Sequence, residues 1–124
     1  MTRFEQAKRV GRYFESGAYR DDNTGKPDYS GFLSPAVLVM FGKYMMKHQL
    51  QSDGVMRDSD NWKAGIPKED CFESLVRHIM DLWLEEDGFQ SRDGVEEALG
   101  GILFNAMAYW LAYIKEQESD ESTD

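Results

Sequence analysis

Residues 93–115 read DGVEEALGGILFNAMAYWLAYIK, and this stretch decides the fold. Ala98, Gly101, Asn105, Ala108 and Ala112 recur at spacings of three, four, three and four, which puts small residues on one narrow stripe of a helix. Small side chains let a second helix approach closely, and a 3-4 repeat suits near-parallel or antiparallel packing. The other faces carry Leu99, Ile102, Leu103, Phe104, Met107, Tyr109, Trp110, Leu111, Tyr113 and Ile114. A helix apolar all round is central or lies at a subunit interface. A chain of 124 residues can scarcely wrap it, so a homo-oligomer is expected. Asp93 favours the positive end of this helix, and Lys115 suits its C-terminus.

Working back toward the N-terminus, Phe72, Leu75, Val76, Ile79, Met80 and Trp83 predict an amphipathic helix over about 69–87, stopped by Gly88. Ser34-Pro35 is a strong helix start, with Ser as N-cap and Pro at the first helical position. That helix is expected to reach about Gln49. Phe4, Ala7, Val10 and Phe14 suggest a further short helix over 2–15, weakened by Gly11. Stretches 16–32 and 50–69 are rich in turn formers and read as loops. No alternating strand pattern and no internal repeat is evident. The expected fold is all-α: a bundle of three or four helices with long polar loops, a single domain over 1–115, and a disordered acidic tail over 116–124.

Hydrophobic content of 41% marks a globular chain. The single cysteine, Cys71, excludes an internal disulfide and reads as a small buried residue in a reducing compartment. With no apolar run of membrane-spanning length and no signal-like N-terminus, a cytoplasmic protein is expected. The net charge is −9, and Glu116, Glu118, Asp120, Glu121 and Asp124 fall in the tail. A duplex-nucleic-acid binder would usually show a basic face instead. Arg3, Lys8, Arg9, Arg12 and Arg20 form only a local basic cluster, read as a solvated face.

The residues able to do chemistry lie between 59 and 105. His78, Asp81 and Glu85 stand at i, i+3 and i+7, within about 60° of one another on a helix. Such a stripe can hold Mg²⁺ or Mn²⁺ through oxygen and imidazole, or can simply face water. Glu96 and Glu97 open the following helix, where the dipole alone favours carboxylates. If the two helices pack antiparallel, their acidic ends meet. Asn105, in the middle of the small-residue stripe, needs a partner: a helix carbonyl, or a ligand in a pocket. Asn61 and Trp62 could bind and stack a nucleobase, or anchor their loop to the core. Arg77 could clamp a phosphate or pair with Glu73. Neither a phosphate loop at Thr24-Gly25-Lys26 nor a calcium loop at 21–26 fits its required pattern.

Arg20-Asp21, Gly25-Lys26, Gly42-Lys43-Tyr44, Asp60-Asn61-Trp62, Gly65, Arg77-His78 and Asn105 together resemble a family of small phage-associated domains named for dATP/dGTP diphosphohydrolase. That family is related by fold to the MazG-like all-α nucleotide pyrophosphohydrolases. The resemblance spans roughly residues 20–115. It implies hydrolysis of a nucleoside triphosphate to the monophosphate and pyrophosphate with Mg²⁺ or Mn²⁺, as part of phage nucleotide metabolism in the host cytoplasm. Carried over by position, Lys43 and Arg77 would contact phosphate, and Asn61, Trp62 and Asn105 would form the nucleotide pocket. His78, Asp81, Glu85 and Glu97 would stand at the metal, with Asp81 and Glu97 as catalytic carboxylates. The chain departs from the pattern in two places. The helix over about 69–87 offers His78-x-x-Asp81 in place of Glu-x-x-Glu, and Gly100 stands three residues after Glu97 where an acid is usual. Residues 45–60 also separate Lys43-Tyr44 from Asn61-Trp62, which are nearly adjacent in shorter members. Two alternatives follow: a protein that binds or sequesters a nucleotide without cutting it, and an oligomeric interaction protein.

Overall fold

The computed structural model describes residues 11–122. Among them the chain is mostly helical, and it divides into two compact units between Ser34 and Pro35. In the first unit, β1 (Arg12–Tyr13) and β2 (Tyr19–Arg20) form a small antiparallel hairpin, and α1 (Tyr29–Phe32) is a single turn. The hairpin and the turn lie where only loop, or the end of a helix, was expected. Two residues per strand are too few to leave an alternating signature. The predicted helix over 2–15 otherwise falls outside the described residues. Asp28 caps α1 by accepting from the Gly31 N–H at 3.2 Å. Arg12 and Arg20, from the expected basic cluster, are register partners across the hairpin. Arg12 Nε donates to the Asp21 carbonyl at 3.1 Å.

The second unit holds α2 (Pro35–Lys47), a 3-10 turn (Asn61–Ala64), α3 (Lys68–Glu86) and α4 (Val95–Ser122). The Ser34-Pro35 start falls as read. α3 ends in a Schellman arrangement. Gly88 takes a φ of +87°, its N–H donates to the Glu85 carbonyl at 3.1 Å, and the Phe89 N–H donates to Leu84 at 2.8 Å. α4 does not stop near Lys115. It continues to Ser122, so residues 116–122 are helical where a disordered tail was expected. A partner explains part of this, since Lys68 Nζ binds Glu116 at 2.9 Å. Lys115 also donates to the Lys63 carbonyl. These contacts put the start of α3 beside the far half of α4, so the two helices run antiparallel.

The small-residue stripe is the seam of that pair. Ala98, Gly101, Asn105 and Ala108 are buried, facing Cys71, Asp81 and half-buried Ser74 and His78 on α3. The stripe expected to let a second helix approach closely is used within the chain, between α3 and α4. The twin glycines at its head seat two different rings. A Cβ on Gly100 would overlap Tyr44 of α2, and one on Gly101 would overlap His78 of α3. Cys71 is fully buried, as read, and burial pushes its thiol pKa up.

The face of α3 that looked like its core side is instead open. Phe72, Val76, Ile79, Met80 and Trp83 are all exposed, while the polar stripe turns inward. The hairpin of α3 and α4 is thus small and polar inside and apolar outside.

Candidate functional site

Beside this seam lies a cavity of about 740 Å³. It is bounded by the end of α2, the loop after it, the 3-10 turn, and the inward faces of α3 and α4. One wall is aromatic: Trp62 meets Phe104 edge-on, with ring centroids 5.6 Å apart and planes at 81°. The turn places Trp62 because Gly65, at a φ of +127°, closes it with a bond to the Trp62 carbonyl at 3.2 Å. Asn61 and Asn105 line the same space. Asn105 Nδ2 donates to the Gly101 carbonyl at 2.8 Å, one turn back in its own helix, so the buried amide has a structural partner as well as a place on the cavity.

The polar end is built from His48, Arg57, His78, Arg92, Asp93 and Glu97. Glu97 pairs with Lys47 at 3.1 Å and with His48 in a shorter contact. Burial works against its charge, yet the bonds from His48 and Lys47 outweigh this and hold its carboxyl below the usual range. Asp81 is buried and gripped by Arg92, with Nη2 to Oδ2 at 2.6 Å and Nε to both oxygens at 3.1 and 3.2 Å. The Arg92 bond holds Asp81 below the ordinary carboxylate range despite its desolvation. Burial first, and Arg92 second, lower the pKa of His78, which favours the neutral imidazole at pH 7.

The expected site residues therefore divide. Asn61, Trp62, His78, Glu97 and Asn105 converge on the cavity. Lys43 instead lines a separate groove between α2 and α4 with Tyr44 and Lys47. Arg77 is exposed and donates to Ser74 Oγ at 2.9 Å, rather than to Glu73 or the cavity. Glu85 accepts from the Ser91 N–H at 3.0 Å and its hydroxyl at 2.9 Å, tying the loop between α3 and α4. Asp81 reaches the cavity only through Arg92. An imidazole and three carboxylates would suit Mg²⁺ or Mn²⁺ chemically. Among the described residues, however, no three His, Cys, Asp or Glu side chains gather closely enough to hold a metal. The expected carboxylates are spread over three separate partnerships: Asp81 with Arg92, Glu85 with Ser91, and Glu97 with Lys47 and His48.

Arg57, Arg92 and His48 were not singled out by sequence, and Phe104 was read only as part of an apolar helix face. Arg92 and Arg57 sit in loops, where no periodicity marks them. His48 stands just past a helix C-terminus, where the dipole alone would explain a basic group. Comparison of the chain with protein-family models, with curated proteins and with solved structures returned no match.

Proposed function

We propose that this cavity binds a nucleoside triphosphate and that the chain is a pyrophosphohydrolase, releasing the monophosphate and pyrophosphate. The cavity carries the reading. It joins an aromatic wall at Trp62 and Phe104, two amides at Asn61 and Asn105, and guanidinium groups at Arg57 and Arg92. An aromatic face suits a base, amides suit its polar edge, and guanidinium groups suit phosphate oxygens. Its volume falls in the range of small-molecule sites, about 300–1,000 Å³. The hydrolytic half rests on the resemblance at Lys43-Tyr44, Asn61-Trp62, Arg77-His78 and Asn105. The ion that resemblance implies would clamp phosphate oxygens and activate water when bound. The test is pyrophosphate release from a panel of NTPs and dNTPs, canonical and modified, with Mg²⁺ or Mn²⁺. No release from any of them would sink the hydrolase.

Binding without turnover is the second reading, favoured by the Asp81–Arg92 pair, which commits one proposed catalytic carboxylate to an internal cation. Calorimetry separates the two, since a binder takes up nucleotide and leaves it intact.

We also infer that the working form is a homo-oligomer, its partner a second copy of this chain. Phe72, Ile79, Trp83, Tyr109, Trp110 and Tyr113 are exposed on α3 and α4. Phe72, Tyr109, Trp110 and Tyr113 line one apolar groove between the two helices. With aromatic side chains of roughly 150–250 Å² each about half exposed, the six offer on the order of 450–750 Å² per chain. That approaches the roughly 800 Å² each partner contributes to a standard-sized interface.

A further inference from the structure

The segment 49–57, between α2 and the 3-10 turn, is built to hold one side chain against the cavity. Its ends are tied twice, by the Arg57 N–H to the Gln49 carbonyl at 2.7 Å and by Gln49 Nε2 to the Arg57 carbonyl at 3.1 Å. Leu50 and Met56 form a bridge between them. Gly54, at a φ of +79°, makes the bend, and Asp53 Oδ1 accepts from the Val55 N–H at 3.0 Å. The other Asp53 oxygen takes Arg57 Nη2 at 2.7 Å, which fixes the guanidinium plane. Arg57 lines the cavity, and its Nη1 is buried without a hydrogen-bond partner. A guanidinium carries only donors and stays charged, so a buried nitrogen of this kind calls for an acceptor. Asp58 and Asp93 line the same cavity. An anion there is held by directed hydrogen bonds rather than by an excess of positive charge, and phosphate oxygens offer that geometry.

We propose that Arg57 reads the phosphate chain of the ligand, its guanidinium donating to a phosphate oxygen from the cavity wall while Asp53 holds Nη2. This rests on the reading of the cavity as a nucleotide site. The experiment is calorimetric titration of wild type, Arg57→Met, Arg57→Lys and Asp53→Asn with deoxyadenosine, dAMP, dADP, dATP and inorganic tripolyphosphate, each variant first checked for its helical circular dichroism. In wild type, affinity is expected to rise with phosphate number. Arg57→Met loses at least tenfold for dATP and tripolyphosphate and nothing for deoxyadenosine. Arg57→Lys recovers only part of that loss, and Asp53→Asn, which leaves the guanidinium in place, loses about threefold. Equal dATP binding by wild type and Arg57→Met overturns the role of Arg57 and leaves the nucleotide site standing. If wild type binds tripolyphosphate but none of the nucleosides or nucleotides, the nucleotide reading fails instead, and loss of tripolyphosphate binding in Arg57→Met still upholds the anion site. Absence of binding to every probe overturns both.

Discussion

Gly101 and His78 compete for the same space: a Cβ on the glycine would overlap the imidazole ring. The distance between α3 and α4 is thus set by backbone against ring, at the point where both helices border the cavity. Gly→Ala in an open helix normally gains about 1 kcal/mol. Gly42, inside α2 with nothing near its missing Cβ, should show that gain. Gly101→Ala should instead lose about 1–3 kcal/mol, the usual cost of overpacking. Urea unfolding of both variants checks the opposite signs, and adding His78→Ala to Gly101→Ala should return most of the loss.

Acid should weaken the chain through Asp81. Its folded pKa lies below the ordinary value of 3.8 because Arg92 binds the carboxylate. The stability it contributes is therefore present above pH 3.8 and disappears as pH falls through the lower folded value. Arg92→Met should remove that contribution and lower stability at pH 7. The loss should be modest, because the Arg92 side chain is 57% exposed and screened by water. Unfolding free energies at pH 7 and pH 3 should then lie closer together in the variant than in wild type.

Trp62 should report the ligand. Stacking of a base on an aromatic side chain contributes about 1–3 kcal/mol, so Trp62→Ala should weaken nucleotide binding at least fivefold. The chain holds three tryptophans, and Trp83 and Trp110 lie away from the cavity. A fluorescence change on adding dATP that survives in Trp62→Phe would place the ligand elsewhere.

Much of this arrangement was legible in the order of residues. The small stripe from Ala98 to Ala112 was visible because helical packing repeats at three and four, and the structure uses it as a helix contact. Which helix it met was not legible. The apolar face of α3 looked like the natural partner, but Gly100 and Gly101 admit Tyr44 and His78 instead. A hydrophobic pattern records which side avoids water, not whether the same chain covers it. The Asn61, Trp62, His78, Glu97 and Asn105 set was legible by residue type. Arg57 and Arg92 were not, since a loop side chain is positioned by turns and ion pairs that leave no period. The outward stop of α4 was also misjudged, because Lys68 and Glu116 lie far apart in sequence.

Assembly is the remaining expectation. Trp110 is 69% exposed and contributes little to the fold of one chain. Trp110→Glu should keep the helical circular dichroism and convert an oligomer to a monomer in light scattering. A wild-type protein that is monomeric at every concentration tried would remove the second-copy partner.

The bonds from Ser91 to Glu85 have a consequence for speed. They pin the connection between α3 and α4 just before Arg92, independently of the grip of Arg92 on Asp81. The guanidinium can let go of the carboxylate by turning about its own side-chain bonds while the backbone beside it stays tied. Rotamer changes of that kind take picoseconds to nanoseconds, against nanoseconds to microseconds for a loop that must move as a whole. Exchanging Asp81 for another anion at Arg92 would thus need a turn of one side chain and no movement of the loop backbone.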